Sequence, residues 1–140
     1  SDAGYGIPVS VSATFTDAKF DSGTGTADAA SYVHGATKGK AFPFIPDFQI
    51  NARAGLEGDK ARTYLNFHYQ DAVYVNGANT RKIGAYGILN WSAFYDINEG
   101  VSVFGKISNL TDEVYAHSVL PDGYRVGAPQ TWTIGMSYDF

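Results

Sequence analysis

The chain has 140 residues, with 10 Lys and Arg against 14 Asp and Glu and a formal net charge of −4; only 17% are charged, against roughly 25% in an ordinary soluble domain. That balance argues against a nucleic-acid partner, which calls for a basic face. Cys is absent, which excludes disulfide scaffolds, thiolate metal sites and Cys nucleophiles, and no apolar run approaches the roughly 18 residues of a membrane-spanning helix.

The chain opens on Ser1 with neither a Met nor a secretory apolar segment, which points to a removed leader or to a piece of a longer polypeptide. Apolar residues then recur with period two almost throughout, and no stretch carries the i, i+3, i+4, i+7 stripe of a helix. The reading is all-β. Six strands are expected: Ile7 to Thr16, Phe48 to Glu57, Ala61 to Gln70, Ala85 to Asp96, Val101 to Asn109, and Thr131 to Phe140. Each runs about ten residues, longer than the usual strand of a soluble sheet and long enough to cross a bilayer at a tilt.

The connections alternate in length. Residues 17–47 form a long loop rich in Gly, Thr, Ala and Asp; Gly58-Asp59-Lys60 is a tight turn; 71–84 is a medium loop; Ile97 to Gly100 is tight; and 110–130 is long again. Elaborate loops at one end of a meander and minimal turns at the other are the pattern of outer-membrane barrels.

Splitting the strands by face sharpens this. One face carries Val9, Val11, Phe15, Phe48, Ile50, Leu65, Phe67, Tyr69, Leu89, Trp91, Tyr95, Val103, Ile107, Trp132, Ile134, Met136, Tyr138 and Phe140, and no charge. The other takes every charged strand residue, Arg53, Glu57, Arg62, Asp96, Lys106 and Asp139, together with bulky Tyr64, Tyr86, Phe94 and Phe104. Small residues and strand-end aromatics on the uncharged face suit lipid with aromatic girdles. A polar face with large rings suits a lumen packed against something. The fold expected is a transmembrane antiparallel up-and-down β-barrel. A filled barrel needs about eight strands, and open edges in lipid are costly, so further strands are expected before Ser1.

The last expected strand, Trp132 to Phe140, alternates apolar and polar residues and ends on an aromatic, as the assembly signal of bacterial outer-membrane proteins does; Trp132, Tyr138 and Phe140 are its anchors. Before it, Phe104 to Tyr115 resembles the "V-x-N-L-x-D-x-x-Y" segment of TonB-dependent outer-membrane receptors. Gly127-Ala128-Pro129-Gln130-Thr131 resembles their "G-x-P-R-T", with Gln130 replacing the usual Arg, and Pro43 to Gln49 is similar to the "P-Y-V-P-x-H-Q" of ferric-dicitrate-type receptors, with Phe48 replacing His.

The resemblance implies that residues 1–140 are the C-terminal portion, about six strands, of a barrel of about 22 strands with an N-terminal plug. It further implies active import of a ferric chelate, a siderophore or ferric citrate, in the bacterial outer membrane. The partners implied are the plug and earlier strands, the inner-membrane TonB complex, outer-membrane lipid and lipopolysaccharide, and the barrel-assembly machinery. No covalently bound cofactor and no nucleic acid are implied.

Ferric chelates are often anionic, and Arg grips carboxylates bidentately. The candidate ligand-binding residues are therefore loop cations: Arg81, Lys82 and Arg125, the last aligning with an Arg of the family's "R-P-G-x-P" stretch, with Lys38 and Lys40 beside them. Arg53, Arg62 and Lys106 are expected to pair with carboxylates of plug or barrel. His34, His68 and His117 lack the spacing of a metal pair, and no G-x-S-x-G elbow is present, so neither metal chemistry nor catalysis is expected. The rival readings are a passive porin and a soluble β-sandwich binding module.

Overall fold

A computed structural model describes residues 4–23, 33–120 and 123–138. Among these residues no helix occurs, and ten strands follow in order: β1 (Val9–Phe15), β2 (Phe48–Glu57), β3 (Ala61–Gln70), β4 (Val73–Tyr74), β5 (Lys82–Ile83), β6 (Tyr86–Asn98), β7 (Val101–Ser108), β8 (Ala116–Leu120), β9 (Gly123–Val126) and β10 (Thr131–Tyr138). Six of them form one antiparallel sheet in the order β1-β2-β3-β6-β7-β10. With the hairpins β4–β5 and β8–β9 set aside, spatial order is chain order, and the sheet is the expected up-and-down meander.

The boundaries of β2 and β3 fall where the alternation puts them. β6 runs two residues past the expected Asp96, because a bulge between Asp96 and Asn98 carries the strand into its turn. β7 stops one residue early: Asn109 leaves the extended region at φ 53°. Asp139 and Phe140 lie outside the described residues, so the terminal aromatic of the expected assembly signal is not placed.

The register keeps the two faces separate. Leu65, Trp91, Ile107 and Trp132 form one cross-strand row on the uncharged face, while Tyr64, Ser92, Lys106 and Thr133 form the adjacent row on the polar one. Much of the uncharged face is bare, with Ile134 86% and Met136 70% exposed. A soluble sandwich would bury these side chains, each worth about 1.5–3 kcal/mol when removed from water. Polar atoms within this face are bonded inside the sheet, as a dry environment requires. Trp91 Nε1 donates to Thr63 Oγ1 at 2.9 Å, and the Thr63 hydroxyl donates onward to the Ser92 carbonyl at 3.1 Å.

The buried core lies instead in the long loops. Val73, Val75, Ile83 and Val119 cluster, with Phe44 and Ala116 packed against them. Connections read as plain loops from the sequence thus contain two hairpins and a core of their own. Their strands are too short for periodicity to reveal. Further ties hold the loops together: Asn79, at φ 56°, clasps the Ala41 backbone through both side-chain atoms at 2.8 and 2.9 Å, and Phe44 N donates to Tyr74 O.

Candidate functional site

The last loop touches the polar face of the sheet through an aromatic stack. Tyr115, at the foot of the last loop, stacks on Tyr86 with ring centroids 4.4 Å apart, and Tyr86 belongs to the polar face with His68 and Gln70. The joint is fixed by Asn109, which is 2% exposed. Its Nδ2 donates to Glu113 O at 2.9 Å and Ala128 O at 3.1 Å, and its Oδ1 accepts from Glu113 N at 2.8 Å. Asp112 accepts from Gln130 N, and Gln130 Nε2 donates to Leu110 O. The Asn, Asp and Gln of this corner therefore lace the ends of β7 and β10 together. Gln130 also accepts from Trp132 Nε1 at 3.0 Å, which holds that indole at the loop end of the uncharged face.

Within the cap, the structure brings two of the sequence candidates onto aromatic rings. The Arg81 guanidinium lies 5.9 Å from the Tyr124 ring centroid, and Lys82 Nζ lies 4.4 Å from that of Tyr74. Arg125 follows Tyr124 on β9, opposite Ser118, and is exposed. Arg81 thus reaches Tyr124 from the neighbouring hairpin, the two hairpins being joined by the Val73–Val119 cluster, whereas Arg125, the next residue along β9, projects to the opposite face. Tyr124 escaped the sequence reading because nothing local marks a loop tyrosine as a partner of a cation in another loop, and Tyr74 because its pairing with Lys82 depends on a hairpin of two-residue strands. Lys38 lies 4.0 Å from Asp21, both side chains almost fully exposed. Lys19, hydrogen-bonded to Asp17, is held above the usual lysine pKa by that contact.

Lower on the polar face, Tyr64, Phe94 and Phe104 form a stripe of rings with centroids 6.2 Å apart at each step. Each ring has a cation near it: Arg53 sits 4.2 Å from the Tyr64 centroid, Arg62 5.9 Å from that of Phe94 and Lys106 5.4 Å from that of Phe104. Arg62 pairs with Asp96 at 3.0 Å, a barrel carboxylate as expected, whereas among the described residues Arg53 and Lys106 form no ion pair. The rings lie flat against neighbouring strands because glycine faces them. A Cβ at Gly55 would collide with Tyr64, and one at Gly135 with Phe104. His68 Nδ1 and Asn51 Oδ1 stand 2.7 Å apart. Among the described residues no three His, Asp or Glu side chains converge as metal ligands would.

Residues 2–110 match the family model described as "TonB dependent receptor-like, beta-barrel". The chain belongs to that family. Its barrels lie in the bacterial outer membrane, so the uncharged face of this TonB-dependent receptor barrel meets lipid and the polar face meets the lumen. By the usual arrangement of such barrels the packed loops are extracellular and the two tight turns periplasmic. The chain is similar to the siderophore receptor PiuA from Acinetobacter baumannii, with TM-score 0.82 and 16% identity over 99% of this chain and 20% of that one. It is likewise similar to the ferric yersiniabactin uptake receptor FyuA from Yersinia pestis, with TM-score 0.74 and 20% identity over 96% of this chain and 21% of that one. A vitamin B12 transporter, BtuB of Photobacterium profundum, is 38% identical over 47 residues, which is 34% of this chain and 8% of that protein. The chain therefore spans about a fifth of the receptors it superposes on.

Proposed function

We propose that the chain is the C-terminal part of the barrel of an active outer-membrane importer, a transporter and not an enzyme. A plug and earlier strands complete the protein, and the inner-membrane TonB complex supplies the energy. Its cargo is a ferric chelate of anionic character, a siderophore or ferric citrate. The observation that carries this reading is the pairing of Arg81 with Tyr124 and of Lys82 with Tyr74, with Arg125 exposed on the same hairpin as Tyr124, in a packed loop cap whose Tyr115 stacks on the lumen-facing Tyr86. Arg presents a planar fork to carboxylate or catecholate oxygens while the rings offer flat contact to the chelate. Ferric-chelate receptors among the structural neighbours support the same reading.

The test is uptake of radiolabelled iron by cells carrying the full-length receptor with Arg81, Lys82 and Arg125 all changed to Ala. Binding of an anionic ferric chelate is expected to weaken at least tenfold while the barrel still assembles. Unchanged binding and uptake of every ferric chelate would overturn the proposal. The match to a vitamin B12 transporter favours one second reading, an uncharged corrin cargo. Corrin uptake that survives the triple substitution would select it.

A further inference from the structure

The lumen side of the sheet carries two shallow hollows that run into each other. One, about 330 Å³, reaches from Asn51 and His68 to Arg53; the other, about 350 Å³, reaches from Arg53 to Lys106 and Ser108, and Arg53, Asn66 and Asn90 line both. The register builds this wall. Arg53, Asn66 and Asn90 stand opposite one another on β2, β3 and β6, the row on the loop side pairs Asn51 with His68, and the row on the other side takes Tyr64, Ser92 and Lys106. All three rows face the lumen because successive strand residues alternate faces.

The chemistry of the wall is one-sided. Its two cations, Arg53 and Lys106, form no ion pair among the described residues, and no Asp or Glu lines either hollow. Glu57 and Asp96, the described carboxylates of the same face, are engaged elsewhere, Glu57 by the Tyr64 hydroxyl at 2.6 Å and Asp96 by Arg62 at 3.0 Å. Between the cations lie spare donors. Half-buried Asn66 has no hydrogen bond among the described residues, and Asn90 uses only its Oδ1, which accepts from Asn109 N at 2.9 Å. A surface of two cations and free amides is complementary to a ligand rich in anionic oxygen.

Its width selects among such ligands. β2 and β7 are three strands apart in the sheet, which sets the backbones of Arg53 and Lys106 about 14 Å apart across it. A lone carboxylate side chain meets one of these cations, whereas a chelate with anionic oxygens around its rim meets both. The wall also continues from the loop cap: the His68 and Tyr86 ring centroids are 6.3 Å apart, and Tyr115 of the last loop stacks on Tyr86.

We propose that this wall is a second binding site for the anionic ferric chelate, occupied inside the lumen after the chelate leaves the extracellular cap, with Arg53 and Lys106 as its charges and Asn66 and Asn90 as its amide donors. The proposal rests on the reading of the cargo as an anionic ferric chelate. A carboxylate of the plug seated on the same residues is the competing occupant, and the experiment separates them.

Cells carrying the full-length receptor are assayed with radiolabelled ferric citrate and with a radiolabelled ferric tris-catecholate siderophore, binding being read in de-energised cells and uptake in energised ones. Arg53→Gln with Lys106→Gln is expected to leave binding within twofold of the unaltered receptor and to lower the maximal uptake rate about tenfold, since the outer site is intact and the inner one is lost. Arg53→Lys with Lys106→Arg keeps both charges and should retain at least half of that rate. If the Gln pair does not assemble, Asn66→Asp takes its place: a carboxylate opposite Arg53 neutralises the wall from within and should lower maximal uptake at least fivefold with binding unchanged. Undiminished maximal uptake by an assembled variant would overturn the site and leave the reading of the cargo standing. Binding lost in step with uptake would make these residues part of the outer site and overturn a second one. A lower thermal transition of the assembled receptor, with uptake per folded receptor unchanged, would give the wall to the plug and overturn the proposal too. Neither binding nor uptake of either chelate by the unaltered receptor would remove the reading of the cargo, and the proposal with it.

Discussion

Asn109→Ala removes the side chain that fastens the last extracellular loop to the sheet. Three hydrogen bonds go with it, two donated to the carbonyls of Glu113 and Ala128 and one accepted from Glu113 N. At a net value near 1 kcal/mol each, with the site 2% exposed, their loss comes to about 3 kcal/mol. Ala must also hold the left-handed φ of 53°, which adds about 1 kcal/mol. The expected destabilisation is about 4 kcal/mol, concentrated where β7 ends and β10 begins. Asn109→Gly separates the two contributions, since Gly accepts that φ freely and should be about 1 kcal/mol milder than Ala. The assay is limited proteolysis of residues 110–130 in outer-membrane preparations, read with the temperature at which the assembled receptor loses its fast gel migration. Faster loop cleavage and a lower transition are expected for both variants, with Ala the worse. A Gly variant worse than Ala, or wild-type cleavage in either, would refute the assignment of Asn109 as the fastening.

Other substitutions probe the two faces. Trp91→Arg on the lipid face is expected to cost about 2–4 kcal/mol near mid-bilayer, measured by urea unfolding in lipid vesicles, whereas Ser92→Arg, one residue along and facing the lumen, should cost far less. Equal effects would contradict the facing. Gly135→Ala drives a methyl into Phe104 and should destabilise by about 1–3 kcal/mol, with Phe104→Leu in the same chain recovering most of it; no recovery would show that the ring is not the obstacle. Phe140→Ala should lower the amount of receptor assembled in the outer membrane, read by quantitative blotting of membrane fractions, and undiminished assembly would remove that residue from the signal.

The strands were legible because their chemistry is one-dimensional. A ten-residue alternation such as Phe48 to Glu57 fixes period, face and length at once, and the register follows when neighbouring strands must align their uncharged rows. Tight turns such as residues 58–60 leave no freedom to slip. The cap was not legible. Its core is assembled from Val73, Val75, Ile83 and Val119, isolated apolar residues in loops whose local pattern says only that the chain turns. Arg81 and Arg125 stood out as exposed cations, but the tyrosine that Arg81 reaches depends on how two hairpins pack.

The most direct test of the orientation of this sheet is a label scan along β6 in the full-length receptor, with a spin label at each position from Ile88 to Tyr95 and collision with oxygen in lipid set against collision with a water-soluble paramagnet. Odd positions, Leu89, Trp91, Ala93 and Tyr95, should collide with oxygen, and even positions, Ile88, Asn90, Ser92 and Phe94, should not, giving a period of two with that phase. The same period with the opposite phase, or water access on both faces, would contradict the membrane barrel.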